Sequence, residues 1–129
     1  MMHPIKCYQI MIKHREFLAE KIREDYFYSY SEGVRYAILL LMTTLEKRRY
    51  IPGGIFMRDP FVSNETVSQS TKFPKKMLED LIILMEIHDL TYSALVRIAM
   101  DYLIDWMEGD FTFEQESYLN LKIEMSDIV

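Results

Sequence analysis

Between Leu95 and Met107 the apolar residues Leu95, Ile98, Ala99, Tyr102, Leu103, Trp106 and Met107 recur three and four positions apart. That spacing belongs to a helix with one buried face. Arg97, Asp101 and Asp105 fall on the other side. Thr91 is placed to cap the start and Gly109 to end the helix as a C′ residue. A helix from near 91 to 109 is therefore expected, and the rest of the chain must supply what it packs on.

The residues upstream do so. Pro74 to Ile87 puts Met77, Leu78, Leu81, Ile82 and Met85 on one side of a second helix, with Pro74 at its start, where a missing donor does no harm. His88-Asp89-Leu90 makes a tight joint, since Asp tolerates the left-handed conformation such joints need. Thr66 to Phe73 is β-branched and hydroxyl-rich and reads as a short strand. Strand, helix, tight turn and helix, with a Thr/Ser cap opening the second helix, is an order that resembles the ribbon-helix-helix family of DNA-binding regulators (MetJ, Arc and CopG types).

The pattern recurs. Tyr30-Ser31 matches Tyr92-Ser93, and Val34-Arg35-Tyr36-Ala37 matches Val96-Arg97-Ile98-Ala99, both at an offset of 62. Carried back by that offset, the Leu95 face becomes Gly33, Tyr36, Ala37, Leu40, Leu41, Thr44 and Leu45. Ser29 and Glu32 form a capping box, so 29–47 reads as a second copy of the anchor helix. Before it, Arg15 to Tyr26 predicts a helix with Phe17, Leu18, Ile22 and Tyr26 inward. Ile5 to Lys13 predicts a strand in which Tyr8, Ile10 and Ile12 alternate with Cys7, Gln9 and Met11.

The expected fold is mainly α with a short β-ribbon. It comprises one ribbon-helix-helix unit over 1–48, a linker over 49–65, a second unit over 66–108 and an acidic C-terminal extension over 109–129. At 129 residues these form one compact domain. A single unit of this family has a lone strand, and members pair two strands antiparallel in a dimer. The resemblance therefore implies a pseudo-dimer built within one chain, similar to regulators from viruses of hyperthermophilic archaea. Phe27 departs from the family, which often has Gly at that turn. In the linker Pro52-Gly-Gly54 and Asp59-Pro60 are turn signals, and its full extension of about 55 Å suffices to return to an antiparallel strand. In the extension, Leu119 to Met125 alternates strictly and reads as a strand. Leu39 corresponds to Asp101, so the first anchor helix is apolar where its twin is polar. The extension, the linker or self-association with a second molecule should cover that side.

Half the residues are apolar and 27% charged, which supplies a core. Cys7 is the single cysteine, so no internal disulfide forms. The apolar run Tyr36 to Met42 falls short of the roughly 20 residues a membrane helix needs, and Met1-Met2-His-Pro does not open a signal peptide. A cytoplasmic protein without membrane contact is expected. The net charge of −5 disfavours nucleic acid at first sight. Residues 109–129 account for −4 of it, with Asp110, Glu114, Glu116, Glu124 and Asp127 against Lys122.

In the family that this chain resembles, the ribbon enters the major groove and alternate outward side chains read base edges. Here that implies Cys7, Gln9 and Met11 from one strand and Ser68, Ser70 and Lys72 from the other, with Val67, Gln69, Thr71 and Phe73 inward. With the opposite parity in the first strand, Lys6 and Tyr8 replace Cys7 and Gln9. Gln can pair with adenine, Lys with guanine and Ser with either, while Met and Cys offer apolar contact. The same residues also suit an ordinary exposed strand face. Phosphate contacts fall to the anchor-helix starts, with Ser29, Ser31, Thr91 and Ser93, and to Lys13 and Lys75. Plain capping would select the same hydroxyls.

Catalysis finds no support. His3, His14 and His88 have no ligand spacing to one another or to Cys7, so no metal or other cofactor is expected. No phosphate loop and no nucleophile–base pair stands out. The expected function is a sequence-specific, double-stranded-DNA-binding transcriptional regulator, not an enzyme. The alternative is a protein-binding module on the same fold, such as a viral protein that engages a host factor.

Overall fold

The computed structural model describes residues 5–47 and 59–108. They form, in chain order, β1 (Ile5–Met11), α1 (Ile12–Arg23), α2 (Tyr30–Lys47), β2 (Thr66–Lys72), α3 (Lys75–His88) and α4 (Tyr92–Glu108). The fold is mainly helical with one small antiparallel sheet, β1 against β2, paired within the chain. The register sets Cys7 opposite Ser70, Tyr8 opposite Gln69 and Gln9 opposite Ser68. Gly109, the alternating stretch Leu119 to Met125 and Pro52-Gly-Gly54 lie outside the described residues.

The core is where α2 and α4 cross beneath the ribbon. Tyr36, Ala37, Leu40 and Leu41 of α2 meet Leu95, Ile98, Ala99 and Leu103 of α4, all buried. Leu39 is also buried within the single chain. Above them the inward side of the ribbon contributes Tyr8, Ile10 and Thr71, followed by Phe73. The Tyr92 ring sits 5.9 Å from that of Tyr8 and edge-on to Phe73 at 5.8 Å, a favourable aromatic arrangement.

Local chemistry explains most boundaries. Thr91 Oγ1 accepts the Ala94 N–H at 3.1 Å and Ser29 Oγ that of Glu32 at 3.1 Å, the expected caps. Asp89 ends α3 in the left-handed region, φ 52°. The α1–α2 connection is longer. Its left-handed residue is Asp25, φ 65°, and Phe27 turns inward to pack 5.4 Å from Tyr36. A plug of that size explains why no glycine stands there. Gly33 of α2 lets the two helices approach closely there, since a Cβ on it would meet the end of the Leu18 side chain, which would have to shift, and stand 3.3 Å from Phe27.

Several expectations from the sequence are corrected. The first strand stops at Met11, not Lys13, and α1 begins at once. His14 Nδ1 accepts the Met11 N–H at 3.2 Å, which closes the helix start without a loop. The bend carries Met11 inward to 2% exposure, so it leaves the outer face, and turns Ile12 out to 41%. Tyr26 lies past the end of α1 and is exposed. Ile82 is exposed too, because α3 buries Met77 and Leu81 and lays Ile82, Ile83 and Ile87 toward solvent. Arg97, assigned to the polar side of its helix, is buried.

Candidate nucleic-acid interface

A two-stranded ribbon has two open edges, and unpaired edge groups need partners. The two central helices supply them with the same pair of residues. From α2, Ser31 Oγ donates to the Ser70 carbonyl at 3.3 Å and Arg35 Nη1 to the Lys72 carbonyl at 3.0 Å. From α4, Ser93 Oγ accepts the Gln9 N–H at 3.1 Å and Arg97 Nη1 donates to the Gln9 carbonyl at 2.9 Å. Ser31 and Arg35 stand four residues apart, as do Ser93 and Arg97, one helical turn on one face. The repeat at offset 62 thus contains the groups that fasten each helix to one ribbon edge. Their visible signal was the match of Ser and Arg between the copies, but nothing local revealed the carbonyls they reach.

This stitching leaves the outer ribbon face open. Cys7, Gln9, Ser68, Ser70 and Lys72 are exposed on it, as predicted from alternation. Tyr8 is buried, which settles the parity of the first strand. Gln9 is held at three points, because its side-chain Oε1 also accepts the Thr66 hydroxyl at 2.8 Å. Its amide N–H groups and a second lone pair on Oε1 stay available.

The residues assigned to phosphate separate by chemistry. Ser29, Thr91 and Ser93 use their oxygens as acceptors, so each hydroxyl proton is still free to donate outward. Ser31 spends its proton on the Ser70 carbonyl. Lys13 is 3.2 Å from Asp101 and partly neutralised, whereas Lys75 is exposed and forms no ion pair among the described residues.

The two ends of the ribbon differ in charge. Lys72, Lys75 and Arg35 gather at the end where Ile5 faces Lys72. The other end, where Met11 faces Thr66, carries Glu65, Asp101 and Asp59 beside Lys13. Asp59 grips Arg97 through two bonds, Nε to Oδ1 at 2.8 Å and Nη2 to Oδ2 at 2.9 Å, and the Phe61 ring lies 4.9 Å from the guanidinium carbon. Buried charge demands such a partner. Beneath the ribbon, burial pushes the Tyr8 phenol up to about 12 although its hydroxyl bonds Thr71 at 2.5 Å. Burial raises Tyr92 as well, and its hydroxyl has no hydrogen-bond partner among the described residues.

Among the described residues no group of three metal-ligating side chains occurs, and no helix is long and apolar enough to cross a membrane. Comparison with protein-family models, curated proteins and solved structures finds no match to this chain.

Proposed function

We propose that the chain is a tandem ribbon-helix-helix pseudo-dimer that binds double-stranded DNA sequence-specifically, as a transcriptional regulator, with the outer ribbon face in the major groove. One observation carries this reading. An exposed polar face of two paired strands, bearing Cys7, Gln9, Ser68, Ser70 and Lys72, is flanked by the N-termini of α2 and α4, each fastened to one ribbon edge. Helix N-termini suit phosphates, and a two-stranded ribbon fits the major groove. Gln9 and Lys72 are the base readers of widest discrimination, since Cys and Ser offer less directional contacts. Ser29, Thr91 and Ser93 position the duplex with Lys75, while Lys13 contributes less because Asp101 shares its charge.

The test is titration of a labelled random duplex across salt concentrations, followed by selection of sequences. With Lys75 engaged on a phosphate and Lys13 in part, the log–log salt slope should lie between roughly −1 and −2, at about 0.9 per phosphate neutralised. Lys72→Ala and Gln9→Ala should each weaken discrimination over a different half of the selected site, by about 1–3 kcal/mol for a base-reading contact. A protein that binds no duplex at low salt is not a DNA regulator.

A second reading draws on α3. Ile82, Ile83 and Ile87 are exposed on α3, with Glu79 and Glu86 among them on the same side, a mixed apolar and acidic surface suited to protein contact. Retained partner capture with the ribbon residues Gln9 and Lys72 replaced by Ala would favour that alternative.

A further inference from the structure

The two ribbon-fastening arginines occupy matching positions but not matching surroundings. Arg97 uses Nη1 on the ribbon and turns its Nε/Nη2 edge to the Asp59 carboxylate. Arg35 uses Nη1 on the ribbon in the same way, yet its Nε is buried and has no hydrogen-bond partner among the described residues. A guanidinium edge of this kind matches two oxygens of one oxyanion, and burial without a partner is unfavourable. We propose that Arg35 holds a phosphate oxyanion on its Nε/Nη2 edge, at the Lys72 end of the ribbon, in the role that the Asp59 carboxylate fills at Arg97.

The surroundings favour an anion there. Arg35 bonds the carbonyl of Lys72, whose side chain is exposed, and Lys75 follows on the same end. Burial lowers the Arg35 pKa, with nearby Glu32 acting the other way. The Glu32 carboxylate is turned to the Tyr28 N–H at 3.4 Å, and the Tyr8 hydroxyl is taken by Thr71. Neither completes the Arg35 edge. Asp59 reaches Arg97 from the segment that precedes β2. Among the described residues no carboxylate takes that place at Arg35.

Two sources offer the same chemistry, free phosphate and the backbone phosphate of a duplex; only the second rests on the DNA reading. The experiment follows arginine Nε–H resonances in the full chain, assigned through the backbone. Inorganic phosphate is titrated at constant ionic strength against chloride, and a short random duplex is titrated separately. The Arg35 Nε–H signal should shift saturably with phosphate, with the duplex or with both, while the Arg97 signal stays in place because its edge is filled. A response to phosphate alone assigns the site to a free oxyanion, and a response to the duplex assigns it to nucleic acid. Arg35→Lys keeps the charge but loses the two-point edge, and should weaken the responding ligand about 3- to 10-fold. If the duplex binds while Arg35 is unmoved by both ligands, the oxyanion site is refuted and the DNA reading stands. If neither ligand moves Arg35 more than Arg97, the site is refuted whatever the chain binds.

Discussion

His14 Nε2 stands 2.7 Å from Asp101 Oδ1, joining the first turn of α1 to the middle of α4. Its other ring nitrogen accepts the Met11 N–H, so the ring proton sits on Nε2 and points at the carboxylate. One buried imidazole thereby holds the strand end, the helix start and the central helix together. Burial alone would raise the Asp101 pKa, but the hydrogen bond of His14, with the hydrogen bond and charge of Lys13, prevails and holds it below the ordinary Asp value. A depressed carboxyl stabilises the fold above the unfolded value and loses that contribution as pH falls through the folded one. The stabilisation should be complete above about pH 5, begin to fade near about 3.9 and vanish below the folded value. Denaturant midpoints measured from pH 6 downward should show a shallower acid decline in Asp101→Ala than in the parent. Equal declines would remove Asp101 from the account.

Asp59 should matter more than its place outside the regular elements implies. Asp59→Ala strips two bonds from buried Arg97 and should cost about 1–3 kcal/mol by leaving charged donors unsatisfied. Combined with Arg97→Ala, the double variant should be less destabilised than the two single losses added. Additive losses in denaturant titration would show that the pair is not coupled.

Gly33→Ala should destabilise the protein although alanine is the better helix former by about 1 kcal/mol. The new Cβ meets Leu18 and Phe27, and overpacking typically costs about 1–3 kcal/mol. Trimming the neighbour with Leu18→Ala in that background should cost less than Leu18→Ala alone. A stabilised Gly33→Ala variant in thermal melts would show that Leu18 has room to move.

Ser70→Cys places a second thiol opposite Cys7. The Gln9 N–H and carbonyl both turn to α4 and away from β2, so Gln9–Ser68 and, two residues on, Cys7–Ser70 are close pairs without ladder bonds. Mild oxidation should link them within one chain, and non-reducing electrophoresis should show a monomer. A disulfide-linked dimer as the main product would mean that the ribbon forms between chains.

Much of the fold was legible in the sequence because it is written in local periodicity. The 3.6-residue spacing of Leu95, Ile98 and Leu103 marks a buried helical face in any context, and the caps Ser29 and Thr91 mark its starts. The alternation of Tyr8 and Ile10 with Cys7 and Gln9 assigned the open ribbon face. Tertiary structure alone decided the rest. Met11 follows the same alternation but is turned inward, because the strand becomes a helix at the next residue. Ile82 shares the apolar pattern of α3 but stays exposed. Arg97 looks like a surface charge and is buried, since Asp59, far away in the chain, meets it there. Hydrophobic faces are set by what a residue avoids, and spacing records that. Polar pairings such as His14 with Asp101, or Arg35 with the Lys72 carbonyl, depend on which distant group arrives at hydrogen-bond distance. Only the folded chain settles that.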